Sequence, residues 1–112
     1  MEEERWTTPI AIVDSDVLAL SFEMIGIKSY LIRSKAEILR FLRENEEDLP
    51  HIIFMNERVY EKAEPYRREV LRRGLSHPVF AVVPDPEGRR GVRLRDLKDL
   101  LRRALGSEEI VL

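Results

Sequence analysis

The chain has 112 residues and a net charge of −2, and this length fits one domain because domains cluster at roughly 100–150 residues. It has no cysteine, which excludes disulfides, thiolate zinc sites and cysteine nucleophiles. No apolar run approaches the ~18 residues of a membrane span, and the acidic N-terminus lacks the apolar region of an export signal. We therefore expect a soluble cytoplasmic protein without direct membrane insertion.

The two halves of the chain differ in charge. Residues 1–57 carry 12 acidic and 6 basic side chains, a net charge of −6, whereas residues 58–112 carry 9 acidic and 13 basic, a net charge of +4. The arginines of the basic half alternate with acids, and no aromatic side chains interleave with them for base stacking. We therefore predict solvated helix faces and no nucleic-acid partner. The absence of Gln and the abundance of Arg and Glu favour a thermophilic origin.

Four short apolar runs predict four β-strands. Their hydrophobicity is nearly continuous rather than alternating, which is typical of strands buried on both faces, as in parallel sheets. The second run contains Lys28 and Ser29 and is therefore placed at a sheet edge. The four runs cover residues 9–13, 27–32, 50–55 and 78–83.

Helical patterns follow the predicted strands. Ser34 and Glu37 form a capping box at the start of the second helix. Asn56 is placed to cap a third helix that runs to about Arg73. Pro65 lies inside this segment, so we expect it to kink the helix or to split it in two.

The pattern of strands and helices predicts the fold class. Gly74 ends the third helix, and a last helix covers residues 92–105 and ends at Gly106. Strands that alternate with helices predict an α/β fold with right-handed crossovers. We expect one three-layer domain over residues 1–106 and a tail over residues 107–112. The sheet has four parallel strands in the order 2-1-3-4 and helices on both faces, which is a Rossmann-like or receiver-like arrangement.

Polar side chains at the strand ends are the first candidates for chemistry, because ligands of such sheets bind at the carboxyl ends of the strands. A phospho-acceptor receiver domain clusters acids there around Mg²⁺ and needs an Asp after the third strand, where this chain has Asn56. It also needs Ser or Thr after the fourth strand, where this chain has Pro84 and Asp85. We therefore predict neither phosphorylation nor tight Mg²⁺ binding. The polar residues at these ends are Asp14, Asp16, Asn56, Glu57 and Asp85.

Other catalytic patterns are missing. No glycine-rich loop follows the first strand, and Ser15 lacks the glycines of a nucleophile elbow. His51 and His77 have no partner at metal-ligand spacing, so we interpret both as structural. We predict no catalytic, cofactor-binding or metal-binding residues, and the weaker alternative is a small enzyme that uses acids at the strand ends.

The first predicted helix, residues 17–25, is the main candidate for partner binding. It is apolar nearly all round, although a helix that covers a sheet needs only one apolar face. With Glu23 pointing outward, Leu18, Ser21, Phe22 and Ile25 point inward, and grouped apolar residues on the other side indicate a contact surface. The alternative is a helix buried under the long third segment of the same chain. The candidate contact residues of this helix are Ala19, Leu20 and Met24.

The C-terminal tail is a second candidate surface. It ends in Ile110, Val111 and Leu112, whereas free chain ends are usually polar. The three aliphatic side chains either dock on this domain or are available to a partner.

Four motifs occur in the same order and spacing as in one known family. Residues 12–16 form a strand followed by an acid-rich turn, and residues 21–27, SFEMIGI, are similar to Gly-Phe-x-x-x-Gly-Ile. A proline-bounded strand precedes the glycine-containing loop 87–91, and the last helix ends in RRALG at residues 102–106 before the aliphatic tail. With these motifs the chain resembles the F subunit of the archaeal/vacuolar-type (A/V-type) rotary ATPase. Ser21 replaces the usual Gly, and Leu18 and Leu20 stand where the family often has Thr.

The resemblance implies a non-catalytic subunit of the central rotor stalk that binds the coiled-coil shaft subunit. Its C-terminal helix, with Leu101 and Leu105, and its tail would contact the catalytic head and would couple or regulate ATP hydrolysis or synthesis with proton or sodium transport. The subunit would be peripheral to the membrane as part of the complex. The alternative function is a stand-alone receiver-like signalling domain that binds a protein partner.

Overall fold

The structure is a computed structural model that describes residues 8–86. Its strands form one four-stranded sheet in the order β2-β1-β3-β4. Each pair of neighbouring strands is parallel, so the predicted order and direction are confirmed. β2 lies at one edge, as its polar residues predicted. The strands are β1 Ile10–Val13, β2 Lys28–Leu31, β3 Ile52–Asn56 and β4 Val79–Val83.

Helices cover both faces of the sheet. α1 packs on the face that carries Ala11, Val13 and Phe54, and Phe22 of α1 stacks on Phe54 with ring centroids 5.5 Å apart. Three other helices cover the face that carries Ile10 and Met55. The predicted three-layer α/β arrangement is therefore confirmed. The helices are α1 Asp16–Met24, α2 Lys35–Glu44, α3 Glu57–Lys62 and α4 Glu64–Arg72, with a 3₁₀ turn at Glu46–Asp48.

Local sequence signals set the ends of α1. The Ser15 hydroxyl accepts a hydrogen bond from the Leu18 N–H, which satisfies one of the free donors at the helix N-terminus. At the other end Gly26 has φ of 87° and donates to Glu23, while the Ile27 N–H donates to the Phe22 carbonyl. This is a Schellman motif, in which glycine takes the left-handed position. It turns the chain directly into β2.

The segment after β3 is divided as predicted. α3 ends at Lys62, and Pro65 lies in the first turn of α4, where a missing N–H costs nothing because that donor has no partner within the helix. α4 ends in a second Schellman motif at Gly74, whose φ is 71°. The predicted capping box at Ser34 is also present, because its hydroxyl accepts from the Glu37 N–H.

The predicted role of Asn56 as a side-chain cap is wrong. Asn56 occupies the position before α3, but its side chain makes no capping hydrogen bond and is fully buried. Asp85, which follows β4, instead accepts from the Arg58 N–H at 3.1 Å. The free donor at the start of α3 is therefore satisfied by a residue from a different strand end.

Two expectations fall on residues that the structure does not describe. The predicted last helix, residues 92–105, and the boundary between domain and tail at residue 106 both lie outside residues 8–86. Within the described part of the chain, no helix has the length and apolar character that crossing a bilayer requires.

Candidate functional site

The outer side of α1 carries a row of exposed apolar side chains. Val17 is 43% exposed, Leu20 63% and Met24 64%. Their spacing of three and four residues places them on one side of the helix, whereas Leu18 and Phe22 are fully buried. The prediction that Leu20 and Met24 are solvent-accessible is therefore confirmed, and α1 is not buried under the third segment. We call Val17, Leu20 and Met24 the α1 stripe.

The other candidate residue of this helix, Ala19, lies at the side of the stripe. It is half-buried and contacts the core cluster on the α1 face of the sheet. The remaining predicted contact residues, Leu101, Leu105, Ile110, Val111 and Leu112, lie outside the described residues.

The α1 stripe is bordered by the edge of the sheet. Leu31 of β2 is 40% exposed, and its register with Val13 places it on the α1 face. The Glu23 carboxylate accepts a hydrogen bond from the Ser29 N–H at 2.7 Å, so it satisfies a backbone donor of the edge strand. A group of exposed apolar side chains with a polar border is typical of protein contact surfaces.

A second group of residues lies at the carboxyl ends of β1, β3 and β4. The buried Asn56 side-chain amide donates to Asp14 at 2.9 Å and to Asp85 at 2.6 Å. The Asn56 oxygen in turn accepts from the Asp14 N–H at 3.2 Å. Asn56 therefore links the ends of three strands, and it joins Asp14 and Asp85, two of the other polar residues named at the strand ends, in one hydrogen-bonded group.

Arg58 neutralises the two acids of this cluster. Its guanidinium makes two hydrogen bonds to the Asp14 carboxylate, at 2.9 and 3.1 Å, and lies 3.7 Å from Asp85. Burial raises the pKa of Asp14, but hydrogen bonds from Arg58 and Asn56 and the charge of Arg58 outweigh burial, so this pKa lies below its ordinary value. Asp14 is therefore a carboxylate that its pairing with Arg58 favours in the ionised form. Asp16, another polar residue named at the strand ends, instead forms an exposed ion pair with Arg33.

Three features of the structure were not predicted from the sequence. Arg58 is the charge partner of the strand-end acids, and an arginine three residues after the end of a predicted strand is the one local signal for this role. The His51 and His77 rings lie against each other with centroids 4.4 Å apart, although the sequence indicates no partner for either. Tyr66 is fully buried, and no sequence signal distinguishes it from an ordinary aromatic core residue. Within the described part of the chain, no group of three or more potential metal ligands occurs.

The structure thus defines a doubly wound α/β domain with an apolar stripe on its first helix and a neutralised cluster at its strand ends. The family model for the ATP synthase (F/14-kDa) subunit matches residues 10–101. Because the match covers most of the chain, the protein belongs to this family. The prediction from the sequence motifs, that the chain is the F subunit of an A/V-type ATP synthase, is confirmed. Comparisons with curated proteins and with solved structures gave no significant match.

Proposed function

We propose that this ATP synthase subunit is a non-catalytic part of the central rotor stalk and that the α1 stripe binds the coiled-coil shaft subunit. The observation that carries the proposal is the exposure of Leu20 and Met24 on a helix whose inner side already fills the core. Burying such a side chain completely contributes roughly 1.5–3 kcal/mol. Leu20 and Met24 contribute this free energy only when a partner covers them.

The geometry of the α1 stripe fits a helical partner. Side chains three and four residues apart form the ridges that pack into the grooves of a facing helix, and helices that lie in apolar grooves use anchors with this spacing. A coiled coil offers such a surface because apolar side chains recur along each of its helices. The exposed Asp16–Arg33 ion pair and Glu23, which accepts from the Ser29 N–H, give α1 polar groups beside the stripe.

The second part of the proposal concerns residues 92–112. The C-terminal helix and tail reach the catalytic head through Leu101, Leu105 and the final aliphatic residues, and they couple or regulate ATP turnover with proton or sodium transport. The support is the family membership together with the three large aliphatic side chains at the end of the chain. The subunit then works on the cytoplasmic side, peripheral to the membrane within the complex.

The shaft contact is tested by substituting one residue of the α1 stripe. Leu20→Asp removes no core contact because Leu20 is exposed, so thermal stability stays close to that of the wild type. A charge placed in an apolar interface weakens shaft affinity at least about tenfold. The matched control is Leu71→Asp, the same substitution at a residue of α4 that is 76% exposed on the opposite face of the sheet.

The outcomes of this experiment are distinct. The proposal requires that Leu20→Asp folds and loses affinity while Leu71→Asp folds and binds like the wild type. Wild-type binding by Leu20→Asp, with reduced binding by Leu71→Asp, would move the shaft contact to the exposed surface of α4.

The role of the tail is tested by truncation after Gly106. The shortened subunit is expected to retain shaft binding, because the α1 stripe is intact, and to change the ATPase rate of the assembled complex. Both quantities are measured on the same preparations. An unchanged ATPase rate would contradict a regulatory role for residues 107–112.

A further inference from the structure

A cavity of about 210 Å³ opens at the amino ends of β3 and β4, on the face of the sheet that α2, α3 and α4 cover. One side of its wall is apolar and the other is polar and charged. Cavities of roughly 150 Å³ hold a benzene ring, so this one has space for a long side chain. Leu49, Leu75 and Pro78 form the apolar wall, and Glu46, Glu47, Tyr66, Arg73 and His77 complete the lining.

The hydroxyl of Tyr66 is fully buried and has no hydrogen-bond partner among the described residues. Burial raises the pKa of Tyr66 to about 12, and the charge of Glu46 adds to this increase while that of Arg73 opposes it. The hydroxyl is therefore neutral, able to donate and to accept, and close to two charged side chains of the cavity. A buried polar group without a partner is unfavourable, so an occupant that bonds to this hydroxyl is stabilised.

The charged side of the cavity has an excess of carboxylates. Arg73 pairs with Glu46 at 2.7 Å, whereas the exposed Glu47 has no ion-pair partner among the described residues. A wider hollow of about 420 Å³ adjoins the cavity and shares these three residues with it. Four acids and two arginines line this hollow, so its surface attracts cations. We call it the acidic hollow, and its other lining residues are Arg43, Glu44 and Asp48.

A lysine side chain matches both sides of the cavity. Its flexible carbon stem packs on apolar walls such as Leu49 and Leu75, while its ammonium stays with polar groups. The ammonium carries three donors, and Glu46, Glu47 and the Tyr66 hydroxyl are acceptors for them. An anionic or uncharged occupant would leave the Glu47 carboxylate without a charge partner. The planar fork of an arginine suits a single carboxylate better than separate acceptors.

We propose that the cavity receives a lysine side chain from a basic segment of another subunit of the complex. The stem of this lysine packs on the apolar wall, its ammonium binds Glu47 and the Tyr66 hydroxyl, and other basic residues of the segment lie on the acidic hollow. The contact rests on membership of the ATP synthase family. It is separate from the α1 stripe, which lies on the other face of the sheet.

Arg73 is the side chain that the lysine displaces. Its side chain is 44% exposed, and water screens such an ion pair so that it contributes little stability. Arg73 therefore turns away from Glu46 at low cost when another cation arrives. Glu46 then accepts a hydrogen bond from the ammonium, and the occupant reaches the Tyr66 hydroxyl, which is closed to water in the free subunit.

The lysine is identified by carbodiimide crosslinking of the assembled complex, because this reagent joins a carboxylate directly to an amine that contacts it. Peptide mass spectrometry is expected to find an amide bond between Glu47 and one lysine of another subunit. Glu61, an exposed acid of α3, is the reference position and should give several-fold less of such a product. Arg73→Met should raise the yield at Glu46 several-fold, because no guanidinium then competes for that carboxylate.

Entry of this lysine into the cavity is tested by its rate of acetylation in the assembled complex. Leu75→Arg places a cation in the cavity wall, so the lysine should react several-fold faster than with the wild-type subunit. Leu75 is 39% exposed, so the circular dichroism of the variant should stay native. Glu47→Gln, which removes only a charge, should act in the same direction. Leu71→Arg, the same substitution at a 76% exposed residue of α4, is the matched control and should leave the rate unchanged.

The absence of any crosslink from Glu46 or Glu47 to another subunit would overturn the proposal. A crosslinked lysine whose acetylation rate neither Leu75→Arg nor Glu47→Gln changes would overturn it too, because that lysine would lie outside the cavity. A crosslink to a lysine of the same chain, or of a second copy, would give the cavity a different occupant and would likewise contradict it. None of these results bears on the shaft contact, which Leu20→Asp tests separately.

Discussion

At the scale of single residues, Arg58 and Asp14 show how this fold stabilises a buried charge. The Asp14 side chain is 7% exposed, and its pKa is lowered because hydrogen bonds from Arg58 and Asn56 favour the ionised form and outweigh the effect of burial. A carboxylate whose pKa is lower in the folded state than in the unfolded state stabilises the fold. This stabilisation is fully present above the pKa of the unfolded state, about 3.9. This contribution is lost as the pH falls through the folded pKa. Arg58 is itself half exposed, so water screens part of the interaction.

Arg58→Met is expected to lower the free energy of unfolding by about 1–3 kcal/mol at neutral pH, because it leaves a buried carboxylate without its charge partner. The loss should shrink in acid, where Asp14 is protonated in both variants. Urea unfolding at neutral pH and at successively lower pH measures this. Arg33→Met, which removes the exposed pair with Asp16, is the control and should cost less than about 1 kcal/mol. An equal loss for Arg58→Met at every pH would contradict the account.

The strand-end cluster also shows where sequence reasoning fails at this scale. The sequence predicts a helix cap at Asn56 because Asn is a common cap and a helical pattern follows it. Its actual partners, Asp14 and Asp85, are 42 and 29 residues away, and no local pattern encodes such a contact. The contact between His51 and His77 escapes prediction for the same reason, because their rings meet only when β3 and β4 pair.

At the scale of elements, the motif at residues 21–27 has a physical explanation. Gly26 provides the left-handed turn that ends α1, and Phe22 and Ile27 both belong to the core cluster on that face. A hydrophobic contact between these two positions commonly accompanies a Schellman motif. The Gly-Ile pair of the motif therefore positions β2 against α1, and this role does not involve the partner surface.

Gly26→Ala is expected to destabilise the protein by roughly 1–2 kcal/mol, the cost of placing a Cβ at positive φ. No atom lies within 4 Å of the added Cβ, so the cost is one of backbone conformation and not of packing. Gly26→Asn should cost less, because Asn tolerates the left-handed region better than Ala. Thermal or urea unfolding ranks the three proteins. Gly26→Asn at least as destabilising as Gly26→Ala would show that space, and not backbone conformation, sets the cost.

Prediction from the sequence succeeds best for the strands and helices. Continuous apolar runs predict the four strands, and Pro65 predicts the break between α3 and α4, because these signals act within a few residues. The α1 stripe is also predictable, since an α-helix displays its residues at a fixed angle and the excess of apolar side chains has to face outward. The sequence does not show that Ala19 contacts the core, because that depends on how α1 lies on the sheet.

At the scale of the whole molecule, the two faces of the sheet have different surfaces. The α1 face carries a stripe of three exposed apolar side chains, whereas the helices on the opposite face carry the exposed Leu71 among ion pairs such as Arg43–Glu69 and Arg73–Glu46. We propose that this ATP synthase subunit binds its partner through the α1 face. The α1 stripe is then covered by the shaft when the subunit is assembled.

The most direct measurement of this claim uses the absence of cysteine from the chain. Leu20→Cys and Leu71→Cys each introduce the sole thiol of the subunit at an exposed apolar position, and the rate of maleimide labelling is compared between the free subunit and the complex with the shaft. The account predicts that the thiol at position 20 labels much more slowly in the complex, while the thiol at position 71 labels at the same rate in both. Equal labelling at position 20 in the free and assembled states would contradict it.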